Sequence, residues 1–416
     1  MRARGWGRLY VAGTIVLMAA ARSAPRQSQI PIRSVAVLTT SDSGVVSSVY
    51  AVHARSDGSV LLDDAVRHRL LLFDSALKRY RVLADTAHES ASTFGLGPGG
   101  LLPFPGDSTA FVDRMSQTLV IVGGHGNLGR TIALPRPSDS PTLSGSTNGV
   151  PGFAKDGRLY YKGTLLTTRM GQPEAGDPAL QWPDSAPIVR ADLDSRRIDT
   201  IALVRIPQQR VRVRFIERKL LATTILNPVP VTDEWAYFPD GTVAIVRGHD
   251  YHIDWYFPTG SQRSTPRMPF DWRRIDERDK HRIVDSVQHL LDSAYDAAVA
   301  RAAMTGGRGT PNAMGPQQKG EVVRPDELPD YYPAVRVSGQ MRVDPDNHLW
   351  ILPTTSRQAS GGLVYDIVNR DGQVMERVRL PEGRVLQGFG PGGTLYMSVP
   401  AVFGWARIER ARIERP

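Results

Sequence analysis

The sequence of 416 residues contains no cysteine and only six lysines among its 51 basic residues. Without cysteine the chain can form no disulfide bond, no Cys-ligated zinc or iron–sulfur site, no catalytic thiol and no lipidated cysteine. The scarcity of lysine relative to arginine is typical of a GC-rich genome, with selection for carboxylate or phosphate binding as the alternative. Because no apolar run reaches the roughly 20 residues that span a bilayer, we expect no transmembrane segment once the N-terminal signal peptide described below has been cleaved.

The net charge of +9 is not concentrated in one basic patch. Basic and acidic residues interleave, as in residues 273–278 (Arg-Arg-Ile-Asp-Glu-Arg). A nucleic-acid-binding surface instead needs arginine and aromatic residues clustered on one face or in one run. We therefore expect a mixed, solvated surface and no nucleic-acid partner.

The N-terminal 21 residues have the composition of a secretory signal peptide. An apolar run over residues 9–21, which ends in three alanines, follows the basic residues Arg2, Arg4 and Arg8. Cleavage is expected after Ala21, with Ser23 as a second possible site and an uncleaved anchor as the alternative. We predict export to the periplasm or the extracellular space, in a GC-rich Gram-negative bacterium.

Short β-strands separated by tight turns follow from about residue 35 onward. In the clearest unit, residues 48–53, 59–63, 69–74 and 79–83 read as strands, and Ser-Asp-Gly at residues 56–58 forms the first turn. Glycine adopts at little cost the positive φ that such a turn requires. Four antiparallel strands joined by tight turns have the size of one β-propeller blade.

Looser copies of this unit begin near residues 108, 152, 234, 340 and 385. The remaining strand, residues 33–38, can pair with the last copy and close a ring, which removes the open sheet edges. The repeat therefore predicts an all-β fold, a six-bladed β-propeller of four-stranded antiparallel blades over residues 33–415. Two stacked β-sandwiches are the alternative.

One segment departs from the strand pattern. Between residues 271 and 304, apolar residues from Ile283 onward recur every three or four positions, which indicates an amphipathic helix or a pair of helices. A stretch up to residue 320 that is rich in glycine, proline and glutamine is typical of a flexible linker. We predict a helical insertion over residues 271–320, between blades four and five, laid on the propeller surface; a lid or a partner-docking element is the alternative.

Two stretches resemble a known family. Residues 56–63 (Ser-Asp-Gly-Ser-Val-Leu-Leu-Asp) with 71–74 resemble the NHL-like blade of secreted bacterial six-bladed β-propellers, and residues 341–350 and 365–372 are similar to the C-terminal blades of that group. The resemblance is strongest over residues 48–83 and 332–398. It implies a ring with a central channel that presents a binding surface, and it specifies no activity.

The chain presents no complete catalytic or metal-binding motif. His249 and His252 are accompanied by Asp250 and Asp254, but in a strand a spacing of three places the histidines on opposite faces. Residues 344–347 (Asp-Pro-Asp-Asn) resemble the start of a calcium loop, yet the glycine and glutamate of such a loop are missing, so we predict a β-turn. No Gly-x-Ser-x-Gly elbow stands out between a strand and a helix. We accordingly assign no catalytic, cofactor or metal residues.

In a propeller, the loops between second and third strands and the connections between blades surround one mouth of the channel. Polar residues at these positions are the candidate binding residues, with turn capping or solvent exposure as the alternative role of each. They are Asp63, Asp64, Arg67, His68, Asp113, Arg114, Arg247, His249 and Arg357.

These observations favour an exported, non-catalytic binding or interaction module with a ligand or protein site at one mouth of the channel. The expected partner is a protein or a small molecule of the cell envelope, and a monomer is expected. The alternative is a metal-dependent lactonase or esterase-like hydrolase of the six-bladed class, with a single divalent cation such as calcium in the channel. Otherwise we expect no cofactor.

Overall fold

The computed structural model describes residues 30–85, 99–144, 149–164, 179–216, 219–304, 319–335, 340–358, 361–402 and 404–414. The predicted signal peptide, residues 1–21 or 1–23, lies outside the described residues, as does the predicted linker from residue 305 to residue 318. Within the described ranges, no helix is long and apolar enough to cross a membrane.

β-Strands dominate the secondary structure. The first half of the chain contains β1 (Ile32–Thr40), β2 (Ala51–Ala54), β3 (Val60–Asp64), β4 (Arg69–Phe73), β5 (Tyr80–Asp85), β6 (Leu101–Phe104), β7 (Ser108–Asp113), β8 (Thr118–Val122), β9 (Leu128–Ala133), β10 (Gly152–Phe153), β11 (Leu159–Lys162), β12 (Ala179–Gln181), β13 (Ser185–Ala191) and β14 (Ile198–Arg205). The second half contains β15 (Arg210–Ile216), β16 (Lys219–Leu226), β17 (Glu234–Tyr237), β18 (Val243–Val246), β19 (Ile253–Tyr256), β20 (Gln262–Ser264), β21 (Glu321–Val322), β22 (Arg342–Val343), β23 (Leu349–Ile351), β24 (Val364–Val368), β25 (Val374–Arg379), β26 (Val385–Gly390), β27 (Thr394–Val402) and β28 (Trp405–Ile413). The α-helices are α1 (Ser140–Ser144) and α2 (Glu277–Met304), and 3-10 helices span Pro137–Asp139, Pro325–Glu327, Thr354–Gln358 and Pro391–Gly393.

The strands of the described ranges pair into five four-stranded sheets and one eight-stranded sheet. Four of the four-stranded sheets are antiparallel, in the orders β2-β3-β4-β5, β6-β7-β8-β9, β10-β11-β13-β14 and β17-β18-β19-β20. The eight-stranded sheet has the order β22-β23-β24-β25-β1-β28-β27-β26, so β1 joins two runs of consecutive strands. The prediction of a mostly β fold built from four-stranded antiparallel units is confirmed.

Tight turns of positive φ connect first and second strands, as predicted from the Asp-Gly and Asp-Asn pairs. Gly241 has a φ of 83° and Asn347 one of 64°, in the left-handed region that glycine and asparagine enter most readily. In the first of these turns, Asp240 Oδ1 accepts a hydrogen bond of 2.9 Å from the Thr242 backbone N–H. In the second, the Asn347 N–H donates to the Asp344 carbonyl at 3.0 Å, so this segment forms the predicted β-turn.

Strand β1 connects the two ends of the chain. Its residues from Val35 to Thr40 pair antiparallel with β28, beginning with Val35 opposite Ile413. Its first residues, Ile32 to Ser34, pair parallel with β25. The prediction that residues 33–38 pair with the last strands is confirmed, and both edges of β1 are thereby hydrogen-bonded.

The buried apolar residues lie between neighbouring sheets in a cyclic order. Clusters join the sheet of β2 to that of β6, the sheet of β6 to that of β10, and the sheet of β10 to that of β17. Further clusters join the sheet of β17 to strands β22–β24, these strands to β26–β28, and β26–β28 back to the sheet of β2. Phe73 of β4 and Ile408 of β28 both belong to the last of these clusters. The fold is therefore propeller-like, with face-to-face packing around a ring.

A sheet that the repeat analysis did not predict has the order β12-β15-β16-β21. It is built on the hairpin of β15 and β16, where Arg210 pairs with Ile225, and β21 pairs parallel to β16. Ile225 forms a buried cluster with Ile275 and Val323, and Ile283 of α2 packs against this cluster. The unpredicted sheet and α2 thus share one small core outside the cyclic one.

Helix α2 occupies the region of the predicted helical insertion, and in chain order it lies between β20 and β21. It is one helix of 28 residues rather than a pair, and it begins at Glu277 rather than at Asp271. Asp276 sets this start because its Oδ1 accepts a hydrogen bond of 2.7 Å from the Asp279 N–H, which is an N-cap contact. The preceding residues are extended, with Arg274 in an antiparallel bridge to Tyr331.

Candidate functional site

A central channel lies between the first strands of the sheets. Strands β2, β6, β10, β17, β22 and β26 all border one cavity of about 330 Å³. Each of these strands stands at an edge of its sheet: β2, β6, β10 and β17 are edges of four separate sheets, and β22 and β26 are the two edges of the eight-stranded sheet. One residue from each strand, in the same order, illustrates the lining: His53, Pro103, Phe153, Tyr237, Arg342 and Gly388.

A second cavity, of about 400 Å³, opens where these first strands begin, and we call it the mouth cavity. Its wall consists mainly of residues 47–52, 100–102, 149–151, 340, 342, 385, 387 and 398–400. Connections between sheets, the regions in which the sequence predicts a site, contribute much of this wall. The volume is within the range of roughly 300–1,000 Å³ that is typical of small-molecule sites.

Arg342 lines both cavities and is the charged residue that links them. It is the first residue of β22, and one guanidinium nitrogen, NH1, donates a hydrogen bond of 3.1 Å to the Met341 carbonyl. Burial lowers the pKa of Arg342, while electrostatic interactions with Tyr365 and Glu234 act in the opposite direction. Because an arginine stays protonated in proteins even after such a shift, a positive charge stands at the base of the mouth cavity.

Two glutamine side chains that line the same cavity as Arg342 are held by hydrogen bonds. The Tyr365 hydroxyl donates to Gln340 Oε1 at 3.2 Å. Gln387 Nε2 donates to Ser398 Oγ at 2.8 Å. Gln340, Gln387 and Ser398 all line the mouth cavity, so the cavity presents fixed neutral hydrogen-bonding groups around the guanidinium.

Asp63 lies at the end of β3 and is almost fully buried, with 4% of its surface exposed. Burial raises the pKa of Asp63 to about 7; the hydrogen bond that Gly99 N–H donates to Oδ2, 2.9 Å, opposes this shift, and the charge of Asp64 adds to it. Burial also raises the pKa of Tyr50, which lines the mouth cavity, with Arg114 opposing and Asp63 adding to the shift. Asp63 thus changes charge near neutral pH close to the wall of the cavity.

Asp64 has a structural role in this geometry. Its carboxylate is completely buried and accepts hydrogen bonds from the backbone N–H groups of Ser47 (3.1 Å) and Ser48 (2.9 Å). Arg69 forms an ion pair of 2.9 Å with the same carboxylate. Asp64 therefore fixes the backbone of residues 47 and 48, which belong to the wall of the mouth cavity.

Arg67 and His68 lie in the turn that follows Asp64. The Arg67 guanidinium stacks over the Trp405 ring, 4.1 Å from its centroid. His68 has a φ of 50°, and its Nδ1 is buried without a hydrogen-bond partner among the described residues. Neither residue is part of the wall of the mouth cavity.

Asp113 and Arg114 follow the end of β7. Asp113 caps a turn, because its carboxylate accepts hydrogen bonds from the Met115 N–H (3.0 Å) and the Ser116 hydroxyl (2.7 Å). Arg114 is exposed. Capping of a turn is the alternative role that the sequence allows for Asp113.

Arg247 bridges two carboxylates at the end of β18, with Nε 2.7 Å from Asp254 and NH1 2.7 Å from Asp233. His249 is exposed and lines a different pocket, outside the channel. Arg357 belongs to the 3-10 helix Thr354–Gln358, and its side chain is outside the described part of the chain. None of the predicted residues with a described side chain belongs to the wall of the mouth cavity, so direct ligand contact by these residues stays a prediction.

Within the described residues, no three His, Asp or Glu side chains come together in a way that could hold a metal ion. His252 lies between two carboxylates, with Nδ1 2.6 Å from Asp250 and Nε2 3.2 Å from Asp254. No observation on the described residues specifically favours the metal-dependent hydrolase.

Sequence reasoning did not single out Arg342 and Gln387, which line both cavities, or His53, which lines the channel. A signal for them was available, because the first strand of each repeat faces the axis of the ring on one side. A charged or amide side chain in a first strand therefore marks the channel wall, whereas the candidate residues predicted from the sequence lie at strand ends and in loops.

No family model matches the sequence, and no curated protein matches it. Solved structures do match. A member of the duf4221 family from Bacteroides vulgatus is 10% identical in sequence, with a TM-score of 0.47, and the match covers 92% of this chain and 98% of that one.

Two solved enzymes also match. A streptogramin B lyase is 12% identical with a TM-score of 0.39, covering 89% of this chain and 94% of that one. A gluconolactonase from Xanthomonas campestris is 12% identical with a TM-score of 0.38, covering 89% of this chain and 88% of that one. Likenesses of this size carry no argument about activity, so the function has to be argued from the chain's own residues.

Proposed function

We propose that the chain is a six-bladed propeller that binds a small organic anion in the mouth cavity and does not transform it. The proposal of six blades is supported by the six first strands around the channel and by the cyclic order of the clusters between sheets. We also propose that the protein is exported, as the composition of residues 1–21 indicates.

The observation that carries the binding proposal is the position of Arg342 at the base of a cavity whose wall comes from several sheets. A guanidinium in partly apolar surroundings interacts strongly with a carboxylate or phosphate, since little water screens the pair. Val49, Leu101 and Val150 supply apolar wall, and the two glutamines supply neutral donors and acceptors. The cavity therefore suits an anion that carries an apolar group.

Benzoate is a suitable probe because it combines a carboxylate with an apolar ring. Isothermal titration calorimetry of the wild type is expected to detect benzoate and to show much weaker binding of benzamide, its uncharged analogue. Arg342→Gln is expected to lower the affinity for benzoate at least about tenfold, because a charge-assisted hydrogen bond is lost. Arg342→Lys, which keeps the charge, is expected to retain part of the affinity.

Arg407→Gln is the matched control, because Arg407 is exposed on β28 and lies outside the mouth cavity. Its affinity for benzoate is expected to equal that of the wild type. Equal affinity of the wild type and Arg342→Gln, with both folded by circular dichroism, would contradict the proposal. Hydrolysis of a lactone by the purified protein that stops when a chelator is added would contradict the proposal of binding without catalysis. It would support the metal-dependent hydrolase instead.

A further inference from the structure

A pocket of about 540 Å³ lies outside the channel, between the loop after β18 and the extended segments on either side of α2. We call it the outer pocket. Its lining includes His249, Asp250, Arg267, Trp272, Asp330 and Tyr331. No residue of this set belongs to the wall of the mouth cavity, so the two sites can be tested independently.

Two aromatic side chains of the outer pocket are partly exposed, with 37% of Trp272 and 48% of Tyr331 accessible. Tyr331 pairs in an antiparallel bridge with Arg274. Trp272 precedes Arg274 by two residues and lines the same pocket as Tyr331, so both aromatic rings are within reach of one ligand. Phe270 contacts the Trp272 ring edge to face at 4.8 Å and so fixes its orientation.

The polar groups of the outer pocket are also held in place. The carboxylate of Asp250 contacts His252 Nδ1 at 2.6 Å and Arg267 Nε at 3.5 Å. Asp330 forms an ion pair of 2.8 Å with Lys280. Each carboxylate therefore already has a cationic partner, and a charged ligand would gain little from long-range attraction.

The loop that carries His249 and Asp250 has a fixed conformation. A Cβ at Gly248 would lie 2.0 Å from the Thr232 carbonyl oxygen, so only glycine fits at this approach. Tyr251 has a φ of 56°, which is unfavourable for a bulky residue. Its buried hydroxyl donates to Asp366 Oδ2 at 2.7 Å. Strain of this kind persists only where surrounding contacts enforce it, and it is common at ligand sites.

We propose that the outer pocket binds a neutral saccharide. One face of a pyranose ring presents C–H groups that pack on aromatic rings. Its hydroxyls both donate and accept, which matches the Asp250 carboxylate and the Arg267 guanidinium. The combination of two partly exposed aromatic rings with locally paired charges favours this ligand over an anion or a cation.

Isothermal titration calorimetry with two neutral trisaccharides, maltotriose and N,N′,N″-triacetylchitotriose, tests the proposal. At least one is expected to bind the wild type with a dissociation constant below about 1 mM. Trp272→Ala is expected to weaken that binding about tenfold or more, and Trp272→Phe, which keeps an aromatic face, less than about threefold. Arg342→Gln, in the mouth cavity, is expected to leave it unchanged.

The thermal unfolding midpoint of each variant shows whether it is folded. The proposal is wrong if neither trisaccharide binds at 10 mM, or if Trp272→Ala is folded and binds as tightly as the wild type. Binding of adenosine that depends on Trp272, with no binding of either trisaccharide, would show that the aromatic pair binds a nucleobase. That result would contradict the saccharide proposal.

Discussion

At the scale of single residues, burial shifts the pKa values of two groups near the channel, Asp63 and His53. The two shifts make stability depend on pH in opposite directions. The pKa of Asp63 is raised to about 7, so the folded state keeps its proton where the unfolded chain, with an ordinary value of 3.8, has lost it. Stability from this group is lost as pH rises from about 4 to 7. Burial, with the charge of Arg55 adding to it, lowers the pKa of His53 to about 4 from 6.5, so stability from that group is lost as pH falls through this interval.

Replacement of Asp63 by asparagine removes one of these two contributions. Relative to the wild type, the free energy of unfolding of Asp63→Asn is expected to increase by about 2 to 4 kcal/mol between pH 4 and pH 7, because the variant has no carboxylate to ionise in a buried position. Urea denaturation of both proteins over this pH range measures the difference.

Asp42→Asn is the control for this experiment, since the Asp42 carboxylate is exposed and forms a surface ion pair with Lys78. Because an exposed ion pair contributes little to stability, Asp42→Asn is expected to change the free energy of unfolding by less than about 1 kcal/mol. A constant difference for Asp63→Asn over the same pH range would show that Asp63 ionises normally.

At the scale of elements, β1 holds the ring together because it pairs with both β25 and β28. Val35 is its buried anchor, 7% exposed, and shares a cluster with Val378 of β25 and Leu395 of β27. Strand β1 thus stabilises the closed ring through backbone hydrogen bonds on both edges and through the burial of one apolar side chain.

Val35→Ala is expected to lower the free energy of unfolding by about 2 kcal/mol, since it deletes two buried methyl groups and leaves a cavity. Leu38→Ala on the same strand is the matched control, because Leu38 is 48% exposed, and its effect is expected to stay below about 0.5 kcal/mol. Urea unfolding followed by circular dichroism compares the two. Equal losses would mean that the burial of Val35 does not stabilise the closure.

The sequence predicts those elements whose structure depends on the conformational preferences of their own residues. It does not predict those whose position depends on packing against distant segments. The turns at Gly241 and Asn347 follow from the conformational preferences of those residues. The hairpin of β15 and β16 alternates arginine with valine from Arg210 to Val213, a pattern that is locally strand-like. Its place beside α2 depends on the shared core at Ile225, which no repeat in the sequence indicates.

At the scale of the whole molecule, the ring determines which residues can form a site. Sequence reasoning located the candidate region in the connections between blades, and such connections contribute to the wall of the mouth cavity. It did not find Arg342, because that residue lies in a first strand at the axis rather than in a connection between blades. The raised pKa of Asp63 was equally invisible, since it results from burial in the folded protein, and the hydrogen bond that opposes it comes from Gly99, 36 residues away in the chain.

The ring geometry also separates the two proposed sites. The mouth cavity is built from the inner edges of several sheets, while the outer pocket lies between the sheet of β17 and the segments flanking α2. Loss of one binding activity is therefore expected to leave the other intact, since the two walls share no residue.

The central claim is that an organic anion binds in the mouth cavity against Arg342. Crystals soaked in 4-iodobenzoate test it most directly, because the iodine marks the position of the ligand by anomalous scattering. The account predicts an anomalous peak inside the mouth cavity, with the carboxylate within hydrogen-bonding distance of the Arg342 guanidinium. No peak in the mouth cavity, at a concentration that saturates binding in solution, would contradict it.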